Sequence, residues 1–484
     1  MVAIIALMQH LPSRSRSRGK LVFFVPRWLE DAMSPSGLPY RVIPVLSSLT
    51  ANGFDVDFFT EIHDGWQSPQ LASSIADCVA AVAWCAELNP GVQVPSLLGF
   101  LARVREITPE VRRIAGGGFF PLAPPPKLDL APLTDTIVCG QEVDALSRCL
   151  LDEPQRDQRE AFDVGVMRQL DLRPFFRPES MLFGNDEPTL QIPTGSGCGK
   201  RCGFCFYEQT NWRALAAKEV VDLIGHVHAN YGVSQFLLGE LDFLASRSRA
   251  VDIMRGLVAA NLPVKWFALG SVQDLLALSD DEFSTMARSG CVTFELGIEA
   301  GGNDALRKLG KKFTVREAIA AHQRLLRAGI LPVYNFVFGW PGETRQDQRA
   351  TRSLIRLLGR QRQKVRFNFR LYQAIPGTTM GEQALQFLPE LPSNLDELRA
   401  YRVDSERSLP WLSVAAERRV RFLTEYVLPL GYDDAMGGAA PDWKRRMLRQ
   451  LARWRSRTGF LRVPVDQRVF QETAAVGLPS TYLP

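Results

Sequence analysis

Apolar residues in this chain fall into two patterns, short strand-length runs and wider helical spacings, and the two alternate through two separate stretches. In the first, Leu21-Val-Phe-Phe-Val25 is an unbroken apolar run, and Val42 to Leu49 follows with helical spacing and Gly53 placed as a C-cap. Phe54-Asp-Val-Asp-Phe-Phe59 alternates as a second strand, and Ala80 to Trp84 makes a third. Pro95 to Ile107 has the apolar face of a helix, Arg113 to Gly118 ends a fourth strand in glycines, and Thr136 to Cys139 is a short fifth. Strand, helix, strand at this spacing predicts a parallel sheet with crossover helices over residues 1–150. Ligands of such a sheet sit at the carboxyl ends of its strands, where Pro35–Pro39, Cys85–Val94 and Gly116–Pro126 would form loops.

Residues 151–185, rich in Asp, Arg and Pro (Asp152, Pro154, Arg156, Asp157, Arg159), read as a linker. The second alternation predicts strands at Thr189–Ile192, Gln235–Leu238, Lys265–Ala268, Val292–Leu296, Val333–Phe338 and Arg366–Leu371. Between them lie helices at 217–231, 246–261, 279–289, 314–328 and 343–361. That is a six-strand α/β repeat over residues 186–384, and chemistry in such folds sits on loops after the strands. Residues 385–484 carry no assignable motif and read as a mainly helical region covering the repeat. Trp411, Tyr426, Tyr432, Asp433, Asp434 and Trp443 are its candidates for contact with a substrate.

At 484 residues the chain is too long for one ordinary core. Its 46% hydrophobic and 23% charged content is that of a soluble globular protein, and no apolar stretch nears the roughly 18 residues of a membrane span. Val2 to Met8 precedes Arg14, Arg16 and Arg18, the reverse of a signal peptide's order, so the expected compartment is the cytoplasm. Cys78, Cys85, Cys139 and Cys149 are scattered and expected as buried small hydrophobes. The net charge of +5 is modest. The basic residues from Lys444 to Arg457 read as a solvated helix face above a buried stripe of Met447, Leu448, Leu451 and Trp454, so no nucleic-acid partner and no membrane is expected.

The chemistry concentrates in Thr194-Gly-Ser-Gly-Cys198-Gly-Lys-Arg-Cys202-Gly-Phe-Cys205. Three thiolates on one glycine-rich loop select iron–sulfur, zinc or copper(I) over hard cations. A closed zinc site wants a fourth Cys or His nearby, and the next candidates, His226 and Cys291, are remote in sequence. The loop therefore implies a metal centre with an open position.

This loop resembles that of the radical S-adenosylmethionine (SAM) enzymes. The resemblance implies a [4Fe–4S] cluster on Cys198, Cys202 and Cys205, a free iron chelated by S-adenosylmethionine, and its reductive cleavage to a 5′-deoxyadenosyl radical. It places Phe204 against the adenine. It also assigns Gly239 and Glu240, with Asp242 as a second candidate, to the cosubstrate's amino group. Glu299, in Gly297-Ile-Glu299-Ala-Gly301, would take the ribose or sulfonium side. Gly339, in Gly339-Trp-Pro341-Gly342-Glu343-Thr344, would admit the adenine, with Glu343 capping the next helix. Ile375-Pro376-Gly377-Thr378 repeats a further landmark. The fold class this implies is α/β, an N-terminal Rossmann-like sheet followed by a partial (β/α)6 barrel and a helical C-terminal region. The N-terminal stretch resembles the cobalamin-binding domain found ahead of many such enzymes, at Pro35-Ser-Gly-Leu-Pro39, Asn52-Gly-Phe, Gly116-Gly-Gly118 and Val138-Cys-Gly-Gln-Glu142. It departs from that pattern at His63-Asp64-Gly65, which lacks the cobalt-ligating order, and at Trp84 to Leu88. The implied function is a cobalamin-dependent methyltransferase acting on an unactivated carbon of a small-molecule natural-product intermediate, with flavodoxin or ferredoxin as electron donor. The alternative is a radical dehydratase or oxidoreductase of a sugar or aminocyclitol that makes no use of cobalamin.

Overall fold

Leu21 to Val25 is apolar at every position because both of its faces are covered. In a computed structural model of the chain this strand, β1 (Lys20–Val25), lies inside a five-stranded sheet, and each of those residues is fully buried. The structure describes residues 17–26, 42–61, 64–65, 67–85, 90–117, 133–138, 145–153, 189–192, 194–205, 207–208, 212–360, 365–374, 378–387, 409–432 and 442–461. The described residues up to 153 belong to one compact unit and those from 189 onward to a second.

The first unit runs β1, α1 (Val42–Ala51), β2 (Asp55–Thr60), α2 (Pro69–Ala76), β3 (Ala80–Cys85), α3 (Pro90–Ile107), β4 (Arg112–Gly117), β5 (Thr136–Val138) and α4 (Ala145–Leu150). All pairings are parallel, in the order β2-β1-β3-β4-β5. The edge strand β2 keeps exposed positions, which is why only it alternates in the sequence. The helix α2, absent from the sequence reading, starts at Ser68, whose hydroxyl caps the Leu71 amide, with Pro69 in its first turn. Gly116 lies opposite Trp84, and a β-carbon there would come within 2.6 Å of the indole. That glycine thus makes room for the tryptophan. The Pro35–Pro39 loop, His63, the residues from 86 to 89, Gly118 and Cys139 to Glu142 lie outside the described residues, as does most of the proposed linker.

In the second unit six parallel strands follow one another in chain order: β6 (Thr189–Ile192), β9 (Gln235–Leu238), β10 (Lys265–Gly270), β11 (Cys291–Glu299), β12 (Leu331–Phe338) and β13 (Arg366–Leu371). Between β6 and β9 a two-residue antiparallel ribbon pairs β7 (Gly195–Ser196) with β8 (Arg213–Ala214). The helices are α5 (Ala217–Tyr231), α6 (Arg247–Ala259), α7 (Val272–Leu276), α8 (Asp280–Arg288), α9 (Asn303–Lys308), α10 (Val315–Arg327), α11 (Arg345–Leu358) and α12 (Thr379–Leu385). Ser279, Thr314 and Thr344 start α8, α10 and α11 through reciprocal capping boxes, the local reason these helices were legible from sequence.

At the C-terminal end, Val414–Arg421, a π turn at Phe422–Val427 and Leu428–Tyr432 run on as one helix, α13. The last described helix is α14 (Asp442–Thr458). Its orientation corrects the expected stripe: Leu448 and Ala452 are buried, but Met447 and Trp454 are about half exposed, at 49% and 47%. The face turned inward instead carries Arg455, which lies 5.2 Å from the Phe422 ring centre and donates to the Phe460 carbonyl at 2.8 Å. Among the described residues no helix is long and apolar enough to cross a membrane. Cys78, Cys149 and Cys291 are buried, and burial raises all three thiols.

Candidate functional site

The cysteine loop leaves the carboxyl end of β6, and the β7–β8 ribbon closes its base. Two further segments clamp it. Glu208 accepts from the Thr379 amide at 2.6 Å, and the Met380 amide donates to the Gly203 carbonyl at 2.7 Å, tying the loop to the start of α12. Gly310, ahead of α10, packs on the Cys202 backbone, and a β-carbon there would stand 3.3 Å from the Arg201 carbonyl and 3.4 Å from Cys202 Cα. Cys198, Cys202 and Cys205 are all half-buried, unlike the sealed Cys78, Cys149 and Cys291. Burial raises Cys198 and pushes Cys205 up to about 11, and the charge of neighbouring loop thiols adds to the rise of these two. Among the described residues no three His, Cys, Asp or Glu side chains close on a single ion. Three half-buried thiols on one loop, with no fourth ligand beside them among the described residues, suit a multi-iron cluster with an open position.

Two acids follow β9, and their surroundings differ. Glu240 is buried and fully engaged: Thr194 donates to Oε1 at 3.0 Å, and Arg249 Nη1 stands 3.1 and 3.2 Å from the two oxygens. Arg249 also donates to the Thr194 and Leu215 carbonyls, so this pair fastens the base of the cysteine loop to α6. Burial raises Glu240, and Arg249 opposes the rise. Asp242 is equally buried, yet neither of its oxygens accepts a hydrogen bond. Lys200, from within the cysteine loop, stands 3.3 Å from Oδ2 but is shared with Asp274. Burial pushes Asp242 up to about 7 against the pull of Lys200. Of the two acids, Glu240 is spent on holding the loop in place, whereas Asp242 keeps its lone pairs unfilled beside a lysine it shares with Asp274. Gly239 belongs to the same anchor, its amide donating to the Ile192 carbonyl at 2.7 Å.

Glu299 ends β11 at φ +70, in the left-handed region, where the register with β12 shifts. Lys311 Nζ stands 3.2 Å from Glu299 Oε1 and donates to the Gly297 carbonyl at 3.0 Å, and it lies 5.4 Å from the Phe204 ring centre. Burial raises Glu299 against Lys311, whereas Lys311 itself is raised, because Glu299, Cys202 and Cys205 outweigh its burial. Phe204, Gly297, Glu299, Cys202 and Cys205 thus gather around one half-buried lysine, which the sequence reading did not select.

At the β12 turn one expectation is corrected. Gly339 adopts φ +76, and a β-carbon there would meet Leu409 at 2.7 Å, so the turn and the packing of the C-terminal region both require glycine. Glu343 does not cap α11. It accepts from the Gly339 amide at 2.7 Å and from Gln348 at 3.0 Å, while Thr344 is the cap. Burial pushes Glu343 up to about 7. Pro376 and Gly377 lie outside the described residues, and Thr378 caps α12.

A row of polar side chains crosses the sheet on the face that carries Gly297 and Glu299. Asn368 donates to Asn335 at 2.9 Å, and Asn335 donates to buried Glu295 at 2.6 Å. The signal for it was available, because a Glu or Asn every second residue in strands that are otherwise apolar marks an interior polar face. Tyr334 faces the opposite side, fully buried with its hydroxyl 2.9 Å from His322, and is a packing residue. Tyr372 is buried with its hydroxyl unpartnered and its ring edge-on to Trp411.

Residues 192–355 match the Radical SAM superfamily. An uncharacterized methyltransferase of Pyrococcus horikoshii is 24% identical over 383 residues, covering 72% of this chain and 78% of the relative. The anaerobic magnesium-protoporphyrin IX monomethyl ester cyclase of Cereibacter sphaeroides is 23% identical, over 69% of this chain and 59% of its own length. Among solved structures, the radical S-adenosylmethionine methyltransferase TsrM of Kitasatospora setae, with cobalamin and a [4Fe–4S] cluster bound, covers 95% of this chain and 100% of its own at TM-score 0.62 and 15% identity. The cobalamin-dependent radical enzyme OxsB with aqua-cobalamin bound covers 94% of this chain and 75% of its own at TM-score 0.66 and 12% identity. At these identities the likeness to the solved structures is one of fold.

Proposed function

On the premise that the chain is a radical SAM enzyme, we propose that it uses cobalamin to place a methyl group on an unactivated carbon of a natural-product intermediate. The observation that carries the reading is the pairing of architectures, a five-stranded parallel sheet ahead of a six-stranded parallel α/β repeat bearing the cysteine loop. The match to TsrM over nearly the whole chain and the methyltransferase relative support it. When bound, the cluster and S-adenosylmethionine supply a carbon radical and cobalamin a transferable methyl group.

The chain's own residues supply placement. Cys198, Cys202 and Cys205 hold the cluster, and the clamps at Glu208 and Gly310 fix their loop. Asp242 receives the cosubstrate's ammonium, and Glu299, held by Lys311, presents its carboxylate towards the ribose side. The Glu295–Asn335–Asn368 row offers hydrogen bonds to a polar substrate inside the repeat. A flavodoxin- or ferredoxin-type donor in the cytoplasm delivers the electron.

The test is anaerobic reconstitution with iron, sulfide and cobalamin, read by visible absorption, followed by product analysis. We expect one cobalamin per chain and, with substrate, 5′-deoxyadenosine together with S-adenosylhomocysteine. Protein that binds no cobalamin ends the methyltransferase reading, and 5′-deoxyadenosine without S-adenosylhomocysteine moves it to the dehydratase or oxidoreductase class. Changing any of the three cysteines to Ala should abolish reductive cleavage while leaving cobalamin binding intact.

A further inference from the structure

A cavity of about 590 Å³ opens in the second unit, lined by Arg356, Gly359, Arg360, Tyr432, Arg453 and Arg457. It gathers the C-terminal end of α11, the end of α13 and the last turns of α14. Gly359 forms part of its wall, packed against the Tyr432 ring and against Phe367 near the start of β13. The cavity therefore lies at the amino ends of the parallel strands. The cysteine loop follows a carboxyl end, so this is not the cluster site seen from another side.

Its charge needs explaining. Among the described residues no carboxylate lines it, and none of Arg356, Arg360, Arg453 and Arg457 is paired with one. The one hydrogen bond of the set among the described residues runs from Arg453 Nε to the Gly431 carbonyl at 2.9 Å, which aims the guanidinium without neutralising it. Nearby Arg352, spent on the Ser456 carbonyl at 2.7 Å, is held below the usual arginine range by burial and then by Arg349 and Arg356. The α11 C-terminus offers only about half a negative charge against these cations. Repulsion of this kind is a standing cost unless something anionic relieves it.

We propose that this cavity binds a phosphorylated small molecule, its phosphates held by the four arginines and its body against Tyr432. Guanidinium forks match phosphate oxygens bidentately, and arginine serves such sites better than lysine. The volume is that of a small-molecule site and exceeds what a lone inorganic ion fills. A ligand here would act at a distance from the cluster, as an anchor or an effector, and the assignment does not depend on cobalamin or methyl transfer.

The experiment is calorimetric titration of the full chain with inorganic pyrophosphate, ADP, sulfate and a short single-stranded RNA. Reductive S-adenosylmethionine cleavage is assayed in parallel as a separate readout. We expect pyrophosphate and ADP to bind at one site per chain. The double variant Arg356→Gln/Arg457→Gln should weaken both by about tenfold or more, since each charge-assisted hydrogen bond is worth about 1.5–3 kcal/mol. Arg356→Lys/Arg457→Lys should fall between, and cleavage should be unchanged in both. The proposal is overturned by no phosphate binding, by binding that survives the double Gln variant, or by sulfate binding as tightly as pyrophosphate. It is also overturned if RNA alone binds, which would make the face a nucleic-acid contact.

Discussion

The two ends of the six-stranded repeat handle charge in opposite ways. Where the cysteine loop sits, ions are matched: buried Glu240 with Arg249, buried Glu299 with Lys311, and half-buried Lys200 with Asp274 and, at 3.3 Å, Asp242. Asp242 is the exception, buried without a hydrogen bond. At the other end, arginines crowd a cavity in which, among the described residues, no carboxylate lines the wall or pairs with them. A buried charge has to be matched within the fold, because the low-dielectric interior makes an unmatched one cost several kcal/mol. A charge left facing solvent can wait for a ligand. Asp242, buried with no hydrogen bond and only a lysine shared with Asp274 beside it, is accordingly the strongest pointer at this end to a cationic group that comes from outside.

The largest effect should come from halving a buried pair. Arg249→Ala strands Glu240 among Thr194 and the loop base, and should lower stability by about 3–5 kcal/mol in denaturant unfolding. Arg249→Ala/Glu240→Leu, which removes both charges, should recover most of that loss. If the single and double variants are equally destabilised, Arg249 matters through its carbonyl contacts, and the contrast between the two ends weakens.

Asp242→Asn should do the reverse. Removing an unsatisfied buried carboxylate should leave stability unchanged or higher, while the affinity of the reconstituted protein for S-adenosylmethionine falls by about tenfold, near 1.4 kcal/mol. The pH dependence separates the two roles. The folded value of about 7 lies above the ordinary aspartate range, so the folded chain holds this proton more tightly than the unfolded one. Its contribution to stability is present below about pH 4 and is lost as pH rises through about 7. The charged acceptor grows in over the same upper range. Cosubstrate affinity should therefore rise between about pH 6 and pH 8 in the wild type and stay flat in Asp242→Asn. A parallel rise in the variant would assign the titration elsewhere.

How much of this was legible depends on which interaction places a residue. The strands and helices of the repeat could be read because local signals fix them: Ser279, Thr314 and Thr344 announce helix starts, and Gln235–Leu238 and Arg366–Leu371 appear where the apolar runs put them. The cysteines could be read because three ligands share one loop. Lys311 could not, since its neighbours Phe204, Gly297 and Glu299 come from distant segments and its own run of charges looks like surface. Nor could the division of labour between Glu240 and Asp242, which rests on an arginine seven residues beyond Asp242 reaching back to only one of them. The α14 stripe failed for a related reason. Helical spacing gave two apolar faces, and tertiary packing of Leu448 and Ala452, with Arg455 lying over Phe422, chose between them.

The smallest effect should be found at the arginine cavity. Arg356 is exposed and unpaired, so Arg356→Gln removes repulsion and breaks no ion pair. Its effect on stability should stay within about 0.5 kcal/mol and should favour the variant at low ionic strength. Raising salt to about 0.5 M shortens the screening length to roughly 4 Å, so wild type and variant should then melt together. Arg249→Ala should keep nearly its whole deficit at the same salt, because its partner is sealed from solvent. A salt-insensitive loss at Arg356 approaching that of Arg249 would mean the cavity arginines hold a structural contact of their own, and the two ends would no longer differ in kind.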